Sequence, residues 1–267
     1  MFSAYEFTYA GESSELYGVH LYDFGGQGQR PVSFGNKAEI SETRIASRVQ
    51  PIHYGVNYHA SPLEFTLVFG SLERALDRYQ MADIAMWLTG RQNYEWLTIG
   101  QSDLEGMRFR CIVTQLTPIH HDWLPYAFEA TVRCDCPYAY GYPFERQYIV
   151  GAGEQALLFQ NEGSCREYLK PVLTFVPANG TKSLAIVNED DGGRTFEISE
   201  LPTGVSFSVD CGTGIIEPAN TAANGGVNLY RGFNMTLPRF VHGDNRLRVT
   251  GKGTLTISGA FLYNVAA

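Results

Sequence analysis

Lysine is scarce in this 267-residue chain, since only four of its 20 basic residues are lysine and the others are arginine. Acidic residues number 28, so the formal net charge is −8 and the isoelectric point is near 5.3. Proteins that bind nucleic acid need clustered basic side chains to neutralise phosphates. The composition therefore argues against nucleic acid as a main partner.

Cysteine is also sparse, and its five residues are scattered: Cys111, Cys134, Cys136, Cys165 and Cys211. An odd number at these positions does not define a disulfide framework, so buried free thiols in a reducing compartment are the favoured interpretation. A metal site at Cys134 and Cys136 is the minor alternative. It would need more Cys or His ligands at regular spacing.

Long apolar runs are missing. None approaches the roughly 20 residues of a membrane-spanning helix, so no membrane insertion is expected. The start, Met1-Phe2-Ser3-Ala4, has neither the basic nor the apolar region of a secretory signal. We therefore expect the protein to be made and folded in a cytoplasm.

Catalytic motifs are absent as well, since neither a nucleophile elbow, an HExxH motif nor a Cys–His arrangement occurs. The run Glu189-Asp190-Asp191 lies in a glycine-rich stretch and is interpreted as a solvated hairpin turn. It does not resemble the two carboxylates that a glycosidase sets across a cleft. We expect no enzyme activity, no cofactor, and no catalytic or metal-binding residue.

Two further segments could be mistaken for binding sites. His120-His121-Asp122 falls in a segment, residues 117–125, that is predicted to be a solvated loop. Adjacent side chains of an extended chain point in opposite directions, so the two histidines would be poor co-ligands of a metal. The glycine run from Gly25 to Pro31 loosely resembles a phosphate-binding loop, but the proline and the lack of a helix signal favour an ordinary loop.

Aromatic residues make up 13% of the chain and 28 residues are glycine, a composition that favours β structure. Residues 5–24 are predicted to form two strands around a glycine turn. Residues 43–59 and 62–70 are predicted to be long antiparallel strands that pair with each other. In the second of them Leu63, Phe65, Leu67 and Phe69 share one face.

One helix is predicted at about 72–89, with Ser71 as its N-cap and Gly90 as its stop. Ile84, Trp87 and Leu88 form its core-facing stripe. Strands are then predicted at Tyr94–Ile99, Met107–Leu116 and Tyr126–Cys134. Together these elements describe a β-rich N-terminal domain, residues 1–140.

A segment rich in Pro, Gly and Tyr, residues 136–150, is interpreted as a domain boundary. Residues 141–267 are predicted to form a second domain, a sandwich or jelly roll, because eight short strands follow at regular spacing. The predicted strands are Lys170–Val176, Ser183–Asn188, Arg194–Ile198, Val205–Asp210, Gly214–Glu217, Gly232–Met235, Arg246–Val249 and Thr254–Leu262.

Several segments, in this order and spacing, resemble the distal tail proteins of long-tailed, non-contractile bacteriophages. The first half has Phe7-Thr8-Tyr9-Ala10-Gly11 before Tyr17-Gly18-Val19, and a helix that ends in Trp87-Leu88. The second half has Asn161-Glu162-Gly163 before Lys170-Pro171-Val172-Leu173-Thr174-Phe175, and Leu237-Pro238-Arg239-Phe240 before Gly243-Asp244-Asn245-Arg246-Leu247. The resemblance covers nearly the whole chain.

The resemblance implies a structural virion protein of the tail tip. Its N-terminal domain would form a hexameric ring, stacked on the tail-tube protein above and on the tail-associated hub protein below. Its C-terminal domain would be a β-sandwich of galectin-like or carbohydrate-binding-module shape, which in some members anchors receptor-binding proteins. The strand pair around residues 43–69 is the candidate for the subunit contact, with a hairpin inside one subunit as the alternative.

A carbohydrate-binding protein of host-surface attachment is the alternative function. Sugar binding uses exposed aromatic rings with polar side chains at their rim. In the second half of the chain the candidates are Tyr230, Phe233, Phe240, Asn228, Arg231 and Asp244. A place in the core or in a turn is the favoured interpretation of each aromatic residue.

Overall fold

The computed structural model describes residues 6–22, 39–57, 62–71, 73–218 and 228–265. The chain divides into two compact units, residues 1–140 with 263–267 and residues 141–262. The described residues are mainly antiparallel β-strands with one α-helix, as predicted. None of the helices found there is long and apolar enough to span a bilayer. The predicted loop from Gly25 to Pro31 lies outside the described residues.

The first unit contains nine of the strands. They are β1 (Phe7–Tyr9), β2 (Glu12–Ser13), β3 (His20–Leu21), β4 (Glu39–Thr43), β5 (Ile52–Asn57), β6 (Glu64–Gly70), β7 (Glu95–Ile99), β8 (Met107–His121) and β9 (Leu124–Cys134). One ladder runs in the order β2-β1-β7-β8, and it continues through β9 and β6 to β3.

The core of this unit lies on one face of these strands. On β6 the residues Phe65, Leu67 and Phe69 are buried, which confirms their predicted common face. The same alternation buries every second residue of β9 from Phe128 to Cys134, also as predicted. Strict alternation of apolar and polar residues therefore located both strands correctly.

The helix α1 spans Arg78–Thr89, and the predicted start near Ser71 is wrong. Asp77 is the N-cap: its carboxylate accepts hydrogen bonds from the backbone N–H groups of Tyr79 and Gln80, and the Gln80 side chain accepts the Asp77 N–H. Residues 71–76 cannot join the helix because two of their N–H groups, those of Ser71 and Leu76, bond to carbonyls of β9.

The predicted core stripe of the helix is confirmed, since Ile84, Trp87 and Leu88 are buried. The Trp87 ring stacks against Phe7 and Tyr17, with centroid distances of 5.5 and 4.4 Å. Its indole N–H donates to the carbonyl of Tyr9 at 3.0 Å. The tryptophan thus ties the helix to β1.

The predicted pairing of residues 43–59 with 62–70 is wrong. β5 pairs with β4, which precedes it, whereas β6 pairs with β9 over seven residues and with β3. Pairing with β9 buries the apolar face of β6, and a local hairpin with β5 would leave that face without a partner. Residues 43–59 alternate poorly because β4 and β5 do not cover a core.

The second unit begins within β10 (Ala139–Val150). This strand occupies most of the segment 136–150, for which the sequence predicts a turn-rich domain boundary. Its other strands are β11 (Glu154–Asn161), β12 (Val172–Pro177), β13 (Leu184–Asn188), β14 (Arg194–Ile198), β15 (Phe207–Asp210), β16 (Ile215–Pro218), β17 (Gly243–Thr250) and β18 (Gly253–Tyr263). β10 and β11 were not predicted. Pro143 fits into β10 at an exposed position, as proline does where no ladder donor is needed.

Two antiparallel sheets form this unit, in the orders β16-β15-β12-β18-β10 and β11-β17-β13-β14. Phe144 of β10 packs against Phe159 of β11, with ring centroids 5.8 Å apart, and so joins the two sheets. Seven of the eight predicted strands are present within a few residues of their expected bounds. The eighth, Gly232–Met235, is a turn that makes only an isolated bridge from Phe233 to Ile198.

Candidate interaction surfaces

The segment 117–125 is the end of a long hairpin, so the predicted loop is wrong. β8 and β9 stay paired as far as His121 and Leu124, which leaves only Asp122 and Trp123 in the turn. Both turn residues have positive φ, 48° and 69°. This is the signature of a type I′ turn, whose twist matches that of the two strands.

The tip of this hairpin exposes large apolar side chains. Trp123 is 96% exposed and Leu124 is 51% exposed. His121 lies 3.7 Å from the Asp122 carboxylate and meets the Tyr126 ring edge to face. In the described part of the chain, no group of three or more His, Cys, Asp or Glu side chains is placed to hold a metal ion.

The signal for this hairpin in the amino-acid sequence is weak. Type I′ turns strongly favour Asn-Gly or Asp-Gly, and here the second residue is tryptophan. Pro118 and Pro125 lie in the two strands, where proline usually argues against a strand. The structure accommodates Pro125 because the edge of this residue that would carry an N–H faces away from β8. Its carbonyl, on the same edge, accepts the N–H of Leu76 at 2.8 Å.

A second exposed feature is the ribbon formed by β4 and β5. Within the described residues the ribbon pairs with no other strand. Ile40 lies opposite Val56, and a β-bulge follows next to Tyr54. All three side chains are exposed, Tyr54 to 64%.

The acidic run Glu189-Asp190-Asp191 lies in the turn of the hairpin that β13 and β14 form, as predicted. It is one turn of 3-10 helix, and its carboxylates are held in ion pairs. Each carboxylate pairs with its own arginine from a distant part of the chain: Glu189 with Arg248, Asp190 with Arg246, and Asp191 with Arg239. The three ion pairs therefore connect this turn to distant parts of the chain.

Two of these ion pairs are bidentate. Asp191 accepts from Nε and Nη2 of Arg239 at 2.8 and 3.1 Å, and these bonds raise the pKa of Arg239. The hydrogen bonds from Arg246 hold the pKa of Asp190 below its usual value. The guanidinium of Arg239 also lies 3.8 Å from the centroid of the Tyr168 ring.

Three buried asparagines, Asn161, Asn188 and Asn245, lie next to this turn and the start of β17. Asn245 accepts from the Asn188 side chain at 2.9 Å and from the Val241 N–H at 2.8 Å. Its amide donates to the carbonyls of Val241 and Gly243, both at 3.0 Å. Asn161 donates to the same Val241 carbonyl at 3.1 Å. These side-chain hydrogen bonds satisfy backbone N–H and carbonyl groups of the segment around Val241 that precedes and enters β17.

The cysteines are free thiols in this structure, and four of the five are buried, as predicted, whereas Cys136 is half-buried. Cys111 and Cys134 lie directly opposite each other on β8 and β9. The hydrogen bond with Cys111, together with burial, raises the pKa of Cys134. Both side chains are buried in the core. No group of metal-ligating side chains found among the described residues includes Cys134 or Cys136.

The six residues considered for sugar binding are not all exposed. Phe240 is fully buried against Phe159. Arg231 pairs with Glu200 at 3.0 Å, and the Asn228 side chain accepts from the Tyr230 N–H. Phe233 packs on Phe196, and Asp244 is exposed on β17. Tyr230 is 46% exposed, and its hydroxyl accepts from the Ile216 N–H at 3.1 Å.

The family models decide what kind of protein this is. A model described as a phage tail protein N-terminal domain matches residues 2–136, and one described as a phage tail C-terminal domain matches residues 138–259. The chain belongs to the phage tail protein family. No curated protein sequence matches it.

The fold of this phage tail protein is that of a distal tail protein, as the sequence resemblance implied. The crystal structure of the Dit protein of phage SPP1 is similar to it with a TM-score of 0.69 and 12% identity, over 97% of this chain and 100% of that chain. That protein is described as a paradigm of the hub adsorption apparatus in phages that infect Gram-positive bacteria. A chain of the phage P2 baseplate in its activated conformation with Ca matches at a TM-score of 0.46, with 8% identity over 90% of each chain.

Proposed function

We propose that this phage tail protein forms a ring of six copies at the distal tip of the tail, in the virion. The ring joins the tail-tube protein on one side to the baseplate hub protein on the other, and it carries the receptor-binding apparatus. Residues 1–140 build the ring and residues 141–267 lie on its outside. The role is structural, and it includes no catalytic step, no cofactor and no direct recognition of nucleic acid.

The match of both halves to phage tail families, together with the Dit fold, supports this proposal most strongly. Acidic residues outnumber basic ones in the first half, 17 to 11 up to residue 150. Acidic groups around the channel of such a ring would keep DNA from adhering to its wall.

The ribbon of β4 and β5 is the surface we assign to the contact between neighbouring subunits. A closed ring needs two different surfaces that fit each other on every subunit. An isolated two-stranded ribbon is only marginally stable in water, so packing against a neighbour would stabilise it. The contact predicted for residues 43–69 is thus limited to the part that lies in the ribbon, because β6 belongs to the core.

The exposed side chains of the ribbon supply the driving force. Ile40, Tyr54 and Val56 would lose their exposed area on a neighbour. Burying a fully exposed side chain of this size contributes about 1.5–3 kcal/mol, so these partly exposed three would together contribute about 2–5 kcal/mol per contact before the cost of association. In a ring of six this contribution is repeated at every interface.

A double variant, Ile40→Ser with Tyr54→Ser, tests this assignment by size-exclusion chromatography with light scattering. We expect the natural protein to give the mass of six copies and the variant to give the mass of one, with an unchanged circular dichroism spectrum. Tyr79→Ser is the matched control, because Tyr79 is 84% exposed on α1 and lies outside the ribbon. A ribbon variant that still forms hexamers would show that the contact lies elsewhere.

A further inference from the structure

Cys111 and Cys134 face each other across a strand pair of the first unit. They are directly opposite in the register of β8 and β9. Both side chains are buried on the same face of the ladder, and a hydrogen bond joins the two thiols. The two sulfur atoms are therefore neighbours in the core, although they come from different strands.

The backbone hydrogen bonds identify the kind of pair that these cysteines form. The Cys134 N–H donates to the carbonyl of Leu63 at 2.8 Å, on the side of β9 that faces away from β8. The next residue, Asp135, donates its N–H to the carbonyl of Arg110 on β8 at 2.9 Å. In an antiparallel ladder, pairs that exchange hydrogen bonds alternate with pairs that do not. Cys111 and Cys134 are therefore a non-hydrogen-bonded pair.

This kind of pair suits a disulfide. Its Cα atoms are typically about 4.5 Å apart, and its side chains are closer together than those of a hydrogen-bonded pair. A disulfide spans Cα distances of about 4.4–6.8 Å, so a bond between the two sulfur atoms requires changes of side-chain rotamer and little movement of the backbone. An apolar cavity of about 10 Å³, lined in part by Cys111, gives this side chain room to rotate.

We propose that Cys111 and Cys134 are a disulfide site, and that a small disulfide such as glutathione disulfide oxidises them to a covalent bond between β8 and β9. One cysteine thiolate attacks a sulfur atom of the small disulfide, which releases one thiol and leaves a mixed disulfide on the protein. The thiolate of the other cysteine then attacks the protein sulfur and releases the second thiol. The protein loses two protons and two electrons, and the small disulfide is reduced to two thiols.

Burial makes this oxidation slow in the folded protein. The attacking group must be a thiolate, and the hydrogen bond with Cys111, together with burial, raises the pKa of Cys134. A small disulfide also reaches these side chains only when the strands open. We therefore expect slow oxidation of the native protein, and faster oxidation while the chain refolds.

The bond closes the open end of the hairpin. The turn at Asp122 and Trp123 joins β8 to β9 at one end, and Cys134 is the last residue of β9 at the other. From there the chain continues to β10, in which the second unit begins. A disulfide at this end keeps β9 from separating from β8. It also closes a loop of about 24 residues, 111–134, which lowers the entropy of the unfolded chain.

Refolding in a glutathione redox buffer tests the proposal, because the thiols are accessible in the unfolded chain. The full-length protein is refolded from urea either with glutathione and glutathione disulfide or with dithiothreitol, and it is then denatured, alkylated and digested for mass spectrometry. We expect five alkylated cysteines after refolding with dithiothreitol. The glutathione buffer should give two fewer, and a peptide in which Cys111 is linked to Cys134. The oxidised protein should have a urea midpoint higher by about 1.5 M.

Cys111→Ala and Cys136→Ala are a matched pair of variants. The first removes one member of the pair, so its urea midpoint should be the same in both buffers. The second removes the half-buried thiol that follows Cys134 most closely, whose Sγ donates to the carbonyl of Tyr138 at 3.2 Å. That variant should still form the bond. If Cys111→Ala folds poorly, the linked peptide of the natural protein decides the question by itself.

Three results would overturn the proposal. They are five alkylated cysteines after refolding in the glutathione buffer, linkage of Cys111 or Cys134 to another cysteine or to glutathione, and a bond between the two that leaves the urea midpoint unchanged or lowers it. The bond lies within one copy of the chain, so all of these measurements are made without a ring or a second tail protein. None of their outcomes bears on the proposed function.

Discussion

Asn245 makes four hydrogen bonds inside the second unit, and its replacement by alanine should destabilise that unit strongly. The side chain is fully buried at the start of β17. It links the Asn188 side chain to the backbone of Val241 and Gly243, with all four distances between 2.8 and 3.0 Å. Alanine removes every one of these bonds and leaves the partner groups in a poorly solvated place.

The expected loss follows from the number of bonds. A hydrogen bond contributes about 1 kcal/mol to stability, and an unsatisfied buried partner costs at least as much. Four bonds give a loss of about 4 kcal/mol in the free energy of unfolding. With a urea dependence of about 2 kcal/mol per molar, the midpoint should fall by about 2 M.

Urea unfolding followed by circular dichroism measures this loss, and Asn179→Ala is the matched control. Asn179 is exposed in the turn after β12, so its replacement should change the free energy by less than about 0.5 kcal/mol. A loss below about 1 kcal/mol for Asn245→Ala would refute the view that the buried asparagines hold the segment before β17.

Two further substitutions test the cap of α1 and the ion pair between Asp190 and Arg246. Asp77→Ala should lower the free energy of unfolding by about 1 kcal/mol, because it removes both bonds to the first turn, whereas Ser71→Ala should leave the melting temperature unchanged; equal effects would contradict the assignment of Asp77 as the cap. Asp190→Asn should destabilise the protein at neutral pH, and the difference from the natural protein should close as the pH falls below about 4. The sign follows from the lowered pKa of Asp190, since the ion pair with Arg246 is fully formed above the ordinary carboxyl pKa of 3.8 and is lost on protonation. A stability difference between the two proteins that persists at pH 2 in urea titrations would contradict this role of the ion pair.

Burial at every second residue is the property that the sequence encodes most directly. The faces of β6 and β9 were predicted because the apolar residues that they bury alternate with polar ones. The stripe of Trp87 on α1 was predicted for the same reason, with a helical period. The start of α1 could also have been predicted from the sequence, since Asp77 and Gln80 stand at the spacing of a capping box.

Features that depend on distant partners could not be predicted. The arginines that neutralise Asp190 and Asp191 lie 56 and 48 residues further along the chain. The pairing of β6 with β9 is likewise long-range and competes with a local hairpin that looks equally suitable. The turn at Asp122 and Trp123 escaped prediction because it uses a residue that the turn type disfavours.

Electron microscopy of the purified protein tests directly whether it forms the proposed ring. We expect rings with six-fold symmetry and a central channel. A monodisperse monomer at high concentration that binds neither the tail-tube protein nor the hub protein would contradict it.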